Sequence, residues 1–206
     1  MYKQITLTEE QLKKLFDTYI SILENSIGKD TTSSIFDRIG ERLLAAPASG
    51  KVQYHNCFPG GLVEHSLRVY NNLKYLAKKF LPNITDNSLA VVSLFHDIGK
   101  VGDLNNDYYI IQDNQWRQEN LGEYYTHNEE LIFLDSAQRS IWLLNQFNIS
   151  LTQEEYQAIK IHDGQYIEAN KRYAQKECML ALLLHQADMI ACKQEQERWK
   201  KFNESI

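Results

Sequence analysis

Apolar side chains recur at helical spacing along most of the chain. Leu12, Leu15, Phe16, Tyr19, Ile20, Ile22 and Leu23 stand three or four residues apart, which places them on one helix face. Thr8 and Gln11 have the spacing of a capping box that opens this helix. A second helix is predicted after Asp30, ending before Pro47. The stretch "ASGKVQYHNCFPGG" (48–61) is a loop, and a third helix runs from about Gly61 to Phe80, before Pro82. Asp86 is placed to cap a fourth helix, ending at Gly99, a residue suited to a left-handed helix end. Residues 101–125 break the pattern. "DYYIIQDNQWRQ" alternates aromatic and polar residues around Asp113-Asn114, which predicts a short β-hairpin near residues 107–118. Thr126 with Glu129 and Thr152 with Glu155 are two further capping boxes, and a last long helix is expected roughly from Ala174 to Lys201. The expectation is an all-α fold, a helical bundle with one β-hairpin insertion.

Composition narrows the class. At 206 residues the chain fits a single domain, 1–206. At that size roughly 70% of the unfolded surface can be buried without covalent staples. Cys57, Cys178 and Cys192 are scattered and odd in number, so neither a disulfide framework nor a CxxC zinc site is expected. The N-terminus lacks the apolar segment of a signal peptide, and no apolar run is long enough to span a bilayer. A cytoplasmic protein with no membrane partner is the expectation. The formal net charge of −5 disfavours long nucleic acid as a partner, because phosphates are usually held by a basic surface. Lys13-Lys14, Lys78-Lys79 and Lys200-Lys201 read as solvated helix faces. A small phosphorylated partner is compatible with this balance.

The candidate chemistry lies in polar residues set among apolar ones. His65 stands on an amphipathic stretch with Leu62, Leu67, Val69 and Leu73. His96 and Asp97 follow Leu89–Phe95, an almost wholly apolar segment. His127 is expected to open a helix and His162 to end one. Asp188 lies in "LALLLHQADMIA", where nearly every neighbour is apolar. An unpaired carboxylate there would cost several kcal/mol or stay protonated. A metal ion or an ion pair removes that cost. Taken alone, each histidine is more often a core or surface residue than a ligand. Jointly, imidazoles and carboxylates beside apolar segments suit a divalent first-row transition ion.

These residues resemble the HD-domain metal-dependent phosphohydrolase superfamily, whose pattern is H…HD…D. Here it is carried by His65, His96-Asp97 and Asp188, with "HNCFPGGLVEHSLRV", "LFHDIGK" and "HQADMIA" as flanks. The resemblance covers about residues 50–195 and leaves the helices of residues 8–46 as accessory elements. It implies an HD-domain helical bundle with His65, His96, Asp97 and Asp188 as metal ligands. By resemblance to branches with two extra histidines, Asp97 would bridge two ions, with His127 and His162 on the second. One ion is the alternative. Manganese, iron, nickel, zinc or cobalt would suit the site, and magnesium is admitted. His162-Asp163 also spells HD, but the first dipeptide follows an apolar helix and carries the Gly-Lys sequel.

Such an ion would neutralise a phosphoester and activate water. No GxSxG, GxxxxGK[ST] or GxGxxG is present, so a serine nucleophile, ATP-driven and dinucleotide chemistry are unsupported. Asp97 and Lys100 are the expected catalytic residues, and Arg68, Lys100 and His55 the expected substrate contacts. His185 and Asp103 are expected as outer partners, of Asp188 and Lys100 respectively. Tyr108, Tyr109, Trp116, Tyr124 and Tyr125 either form a base-stacking lid or pack the hairpin on the core. The expected function is hydrolysis of a phosphoester of a nucleotide or similar small substrate. The alternatives are a 3′–5′ exonuclease or phosphodiesterase on RNA or DNA, and a di-iron oxygenase of the HD fold. A homodimer is left open.

Overall fold

The computed structural model describes residues 2–205. Among the described residues there are eight α-helices, seven of which pack around one main core. The eight are α1 (Glu9–Ile27), α2 (Lys29–Ala45), α3 (Gly61–Phe80), α4 (Asp86–Phe95), α5 (Gln115–Leu121), α6 (Ser136–Gln146), α7 (Gln153–Ile161) and α8 (Met179–Glu204). Strands β1 (Tyr109–Ile111) and β2 (Tyr125–His127) form a small antiparallel sheet. The chain is therefore all-α with a two-stranded insertion. Among the described residues, no helix is long and apolar enough to cross a membrane.

The capping boxes at Thr8 and Thr152 form as expected, each side-chain oxygen accepting the amide three residues on. The two N-terminal helices share the main core. Tyr19, Leu23, Ile35, Ile39 and Leu43 are buried in it, and the Tyr19 hydroxyl donates to Leu94 O at 2.6 Å. Helix α3 packs on α4 and α8, and α7 packs on α6 and α8. Four of the helices expected to carry the chemistry thus converge.

Several expectations are corrected. The hairpin does not turn at Asp113-Asn114. The Asn114 side chain accepts from Arg117 N and caps α5, and β1 pairs instead with β2, Tyr109 opposite His127 and Ile111 opposite Tyr125. Thr126 lies in β2 rather than opening a helix; the helix beyond it begins later, capped by Asp135 with Gln138. The long C-terminal helix starts at Met179, after 3-10 segments at Gly164–Tyr166 and Glu168–Tyr173.

Helix α4 ends at Phe95, and Gly99 belongs to a 3-10 turn, Ile98–Val101, without a left-handed conformation. Its lack of a side chain serves a close approach instead. A Cβ at Gly99 would lie 2.4 Å from Ser136 O and 2.8 Å from Ser140 N. The Gly99 amide donates to Ser140 Oγ at 2.8 Å, and that hydroxyl donates to His96 O at 2.8 Å. This lock presses the His-Asp turn against α6. Gly99→Ala is expected to destabilise the fold by about 1–3 kcal/mol through overpacking, measured by urea unfolding. A variant as stable as the parent would contradict the close contact.

Candidate metal centre

His65 projects from α3, whose apolar face carries Leu62, Val69 and Leu73 into the core. His96 and His162 are the C-terminal caps of α4 and α7. Asp188 lies on α8 with its side chain 13% exposed. The three imidazoles and Asp97 are buried.

Two devices fix the three rings. The last carbonyls of a helix lack intrahelical partners. His96 Nδ1 donates to Ser93 O, and His162 Nδ1 to Ile159 O, each at 2.8 Å and each three residues back. His65 Nδ1 pairs with the Glu195 carboxylate at 3.1 Å. Carbonyls and carboxylates only accept, so each Nδ1 carries the proton. Each Nε2 of a neutral ring then presents a bare lone pair.

Those lone pairs face one another. His65 Nε2 stands 3.3 Å from His96 Nε2 and 3.1 Å from Asp188 Oδ1. Asp97 Oδ2 lies 3.6 Å from His96 Nε2 and 3.9 Å from His65 Nε2. His162 Nε2 approaches the other oxygen, Asp97 Oδ1, at 3.4 Å. Converging acceptors repel unless a cation or protons lie between them. Bonds of about 2.0–2.1 Å around a tetrahedral ion put neighbouring ligand atoms about 3.3 Å apart. The donor set and its spacing therefore fit a divalent ion. His65, His96 and Asp188 could hold one, as could His96, Asp97 and His162.

Proton affinities carry the same imprint. Burial works against a charged His65, yet the Glu195 charge and hydrogen bonds to Asp188 and Glu195 outweigh it and push the pKa up to about 10. His162 is likewise up at about 10, with burial outweighed by Asp163 and Asp97. His96 goes the other way, to about 4, because burial dominates. Burial also opposes ionisation of Asp97, but Lys100, His96 and His162 hold its carboxyl well below the usual range. Protons on His65 and His162 thus occupy the place of a cation, and binding an ion releases them.

Asp97 is gripped from outside the ring of acceptors. Lys100 Nζ lies 2.6 Å from Oδ2, and Ser136 Oγ donates to Oδ1 at 2.9 Å. The Lys100 side chain, 15% exposed, lines a cavity of about 370 Å³ together with Arg42, Pro47, Pro59, Tyr109 and Tyr125. A second cavity of similar size is lined by Ile161, Gly164, Asn170 and His185.

Four expected site residues are placed elsewhere. His127 is exposed at the end of β2, its ring 4.8 Å from that of Tyr108 and 5.4 Å from that of Tyr109. It belongs to none of the potential ligand groups among the described residues. Its strand pairing aims it at the aromatic insertion rather than at Asp97. Arg68 is engaged with Glu195 Oε1 at 3.1 Å and Glu64 Oε1 at 2.9 Å, so most of its charge is spent bracing α3 against α8. His185 Nδ1 donates to His162 O at 2.7 Å, so it braces the chain at His162 instead of Asp188. Asp103 caps its own turn, accepting from the amides of Asn105 and Asn106 at 2.7 Å each, and does not reach Lys100. His55 is retained beside the centre, its ring centroid 4.9 Å from that of His65. The aromatic insertion divides. Tyr109 and Tyr125 line the Lys100 cavity, Tyr124 donates to Tyr2 O at 3.0 Å, and Trp116 is exposed.

Glu195 and Ser136 were missed. Glu195 is wholly buried and orients His65, as carboxylates commonly orient metal-bound imidazoles. A signal for it existed: it lies seven residues after Asp188, two turns on along the same helix face. Ser136 offered none. Scans against protein-family models, curated proteins and solved structures find no match to this chain.

Proposed function

We propose that this protein is a metal-dependent phosphohydrolase of the HD type, cleaving a phosphoester of a nucleotide or similar small substrate. The observation that carries this is the convergence of His65 Nε2, His96 Nε2 and the Asp188 carboxylate, with Asp97 and Lys100 alongside. A bound divalent ion would neutralise phosphoryl charge and bring water towards ionisation near neutral pH. The chain's own residues do the rest. Glu195 and the Ser93 carbonyl hold the His65 and His96 rings in their donor orientation. Lys100 and Ser136 fix both oxygens of an ionised Asp97. Lys100 sets positive charge at the edge of a cavity large enough for a small ligand, where a phosphate oxygen would meet it. Tyr109 and Tyr125 give that cavity aromatic walls suited to a nucleoside.

The placement of His127 favours one ion over two. It also removes support for a six-ligand di-iron oxygenase. The test is metal analysis coupled to a panel of nucleoside mono- and triphosphates, cyclic dinucleotides, generic phosphodiesters and short RNA. One ion per chain is expected, retained in His127→Ala, with hydrolysis of a small member of the panel. Protein that binds no manganese, cobalt, nickel or zinc overturns the reading, as does loaded protein that cleaves none of the panel. Two ions falling to one in His127→Ala would restore the two-ion centre. Oxygen uptake by iron-loaded protein would transfer it to the oxygenase class.

A further inference from the structure

A third group of potential ligands, His55, His65 and Cys192, overlaps the centre at His65. His65 has one nitrogen to give, because Nδ1 is held by Glu195. That nitrogen, Nε2, is the atom facing His96 and Asp188. One imidazole lone pair serves one ion, so this group and the His65–His96–Asp188 group describe one position.

We propose that Cys192 supplies a thiolate and His55 a further nitrogen to the ion held by His65 and Asp188, which makes the centre thiophilic, favouring zinc or cobalt over manganese or magnesium. The proposal rests on the metal-centre reading above. Cys192 stands one helical turn after Asp188 on α8, and its thiol donates to Asp188 Oδ1 at 3.4 Å. With His96 the ion then has five donors, and bonds of about 2.3 Å to sulfur and 2.0 Å to oxygen at the roughly 90–120° angles of a five-coordinate ion would set those atoms about 3.0–3.7 Å apart. The observed spacing therefore suits shared coordination as well as a weak hydrogen bond. His55 is the independent observation. Its Nε2 is sealed from solvent and has no hydrogen-bond partner among the described residues. Its ring lies against that of His65, and a buried imidazole nitrogen in a polar cluster is rarely left without a partner. An ion gives it one. On binding, the S–H bond breaks, a sulfur–metal bond forms and the proton passes to solvent, with no change of oxidation state. Thiolate donors select softer ions, whereas carboxylate and water suit manganese and magnesium.

The test uses the full chain loaded with cobalt(II). The expected result is a near-ultraviolet thiolate-to-cobalt charge-transfer band. In Cys192→Ser the band is lost while cobalt still binds, and zinc affinity falls by at least about tenfold with a smaller change for manganese. In His55→Ala the band persists and the visible ligand-field absorption of cobalt shifts. Cobalt-loaded parent protein without the band overturns the proposal and leaves the metal centre standing. Failure of the parent to bind cobalt overturns both. An unshifted visible spectrum in His55→Ala removes His55 from the ligand set. Because the band is read first in the unaltered protein, poor folding of either variant does not obscure the result.

Discussion

Asp97→Asn is expected to abolish phosphoester cleavage and to weaken the metal-free fold. The carboxylate is the meeting point of the site: Lys100 and Ser136 hold its two oxygens, and His96 and His162 stand at 3.6 and 3.4 Å. An amide keeps the shape and removes the charge. Loss of the charge that helps bind an ion and its substrate corresponds to several kcal/mol of transition-state stabilisation, so activity should fall by about 10³-fold or more. In the metal-free protein Lys100 would lose the partner of a largely buried pair. Such a loss typically costs 3–5 kcal/mol, and the partial exposure of Lys100 puts the expectation at about 3 kcal/mol. Asp97→Asn combined with Lys100→Met removes the stranded charge, so the double variant should regain most of the stability and none of the activity. Urea unfolding of metal-free protein and assay of the active substrate separate the two effects. An Asp97→Asn protein with normal metal content and substantial activity would sink the assignment of Asp97.

Glu195→Ala should produce the second large effect, although Glu195 itself is no candidate ligand. Its carboxylate is wholly buried and holds His65 Nδ1 and Arg68 Nε, each at 3.1 Å. Removing it frees the His65 ring to rotate and takes away the charge that raises the basicity of that imidazole. Loss of such an orienting partner typically costs 10–100-fold in metal affinity, so a drop of about 30-fold is expected in competition with a zinc chelator. Arg68 keeps Glu64 and some solvent, whereas His65 keeps neither, so the stability loss should be about 3 kcal/mol. Glu195→Gln, which can still accept from Nδ1, should recover part of the affinity. Unchanged zinc binding in Glu195→Ala would separate His65 from the ion.

These two residues mark how unevenly the site was legible. His65, His96, Asp97 and Asp188 stood out because each interrupts an apolar, helix-periodic segment, where a polar group needs a reason. The structure brings those four together, and His162 with them. Glu195 was hidden because Glu is an ordinary residue of a long polar helix end, and only its helix's docking on α3 turns it inward. His127 was misplaced because Thr126 and Glu129 have capping-box spacing, and that local preference lost to strand pairing with Tyr109. Asn114 was assigned to a turn and instead caps a helix, two uses of the same side-chain hydrogen bond.

The helical class, the starts of α1, α3 and α7, and the polar interruptions at His65, His96, Asp97 and Asp188 are already legible along the chain. Those follow from side-chain periodicity and from the cost of burying charge, both of which are local properties. Which residues share one centre depends on how the helices pack together. Tertiary packing drew Glu195 and Cys192 into reach of His65, spent Arg68 on Glu195 and Glu64, and carried His127 away on β2. The physical reason is that distances between residues far apart in the chain are set by how whole helices dock, which no spacing within a segment encodes.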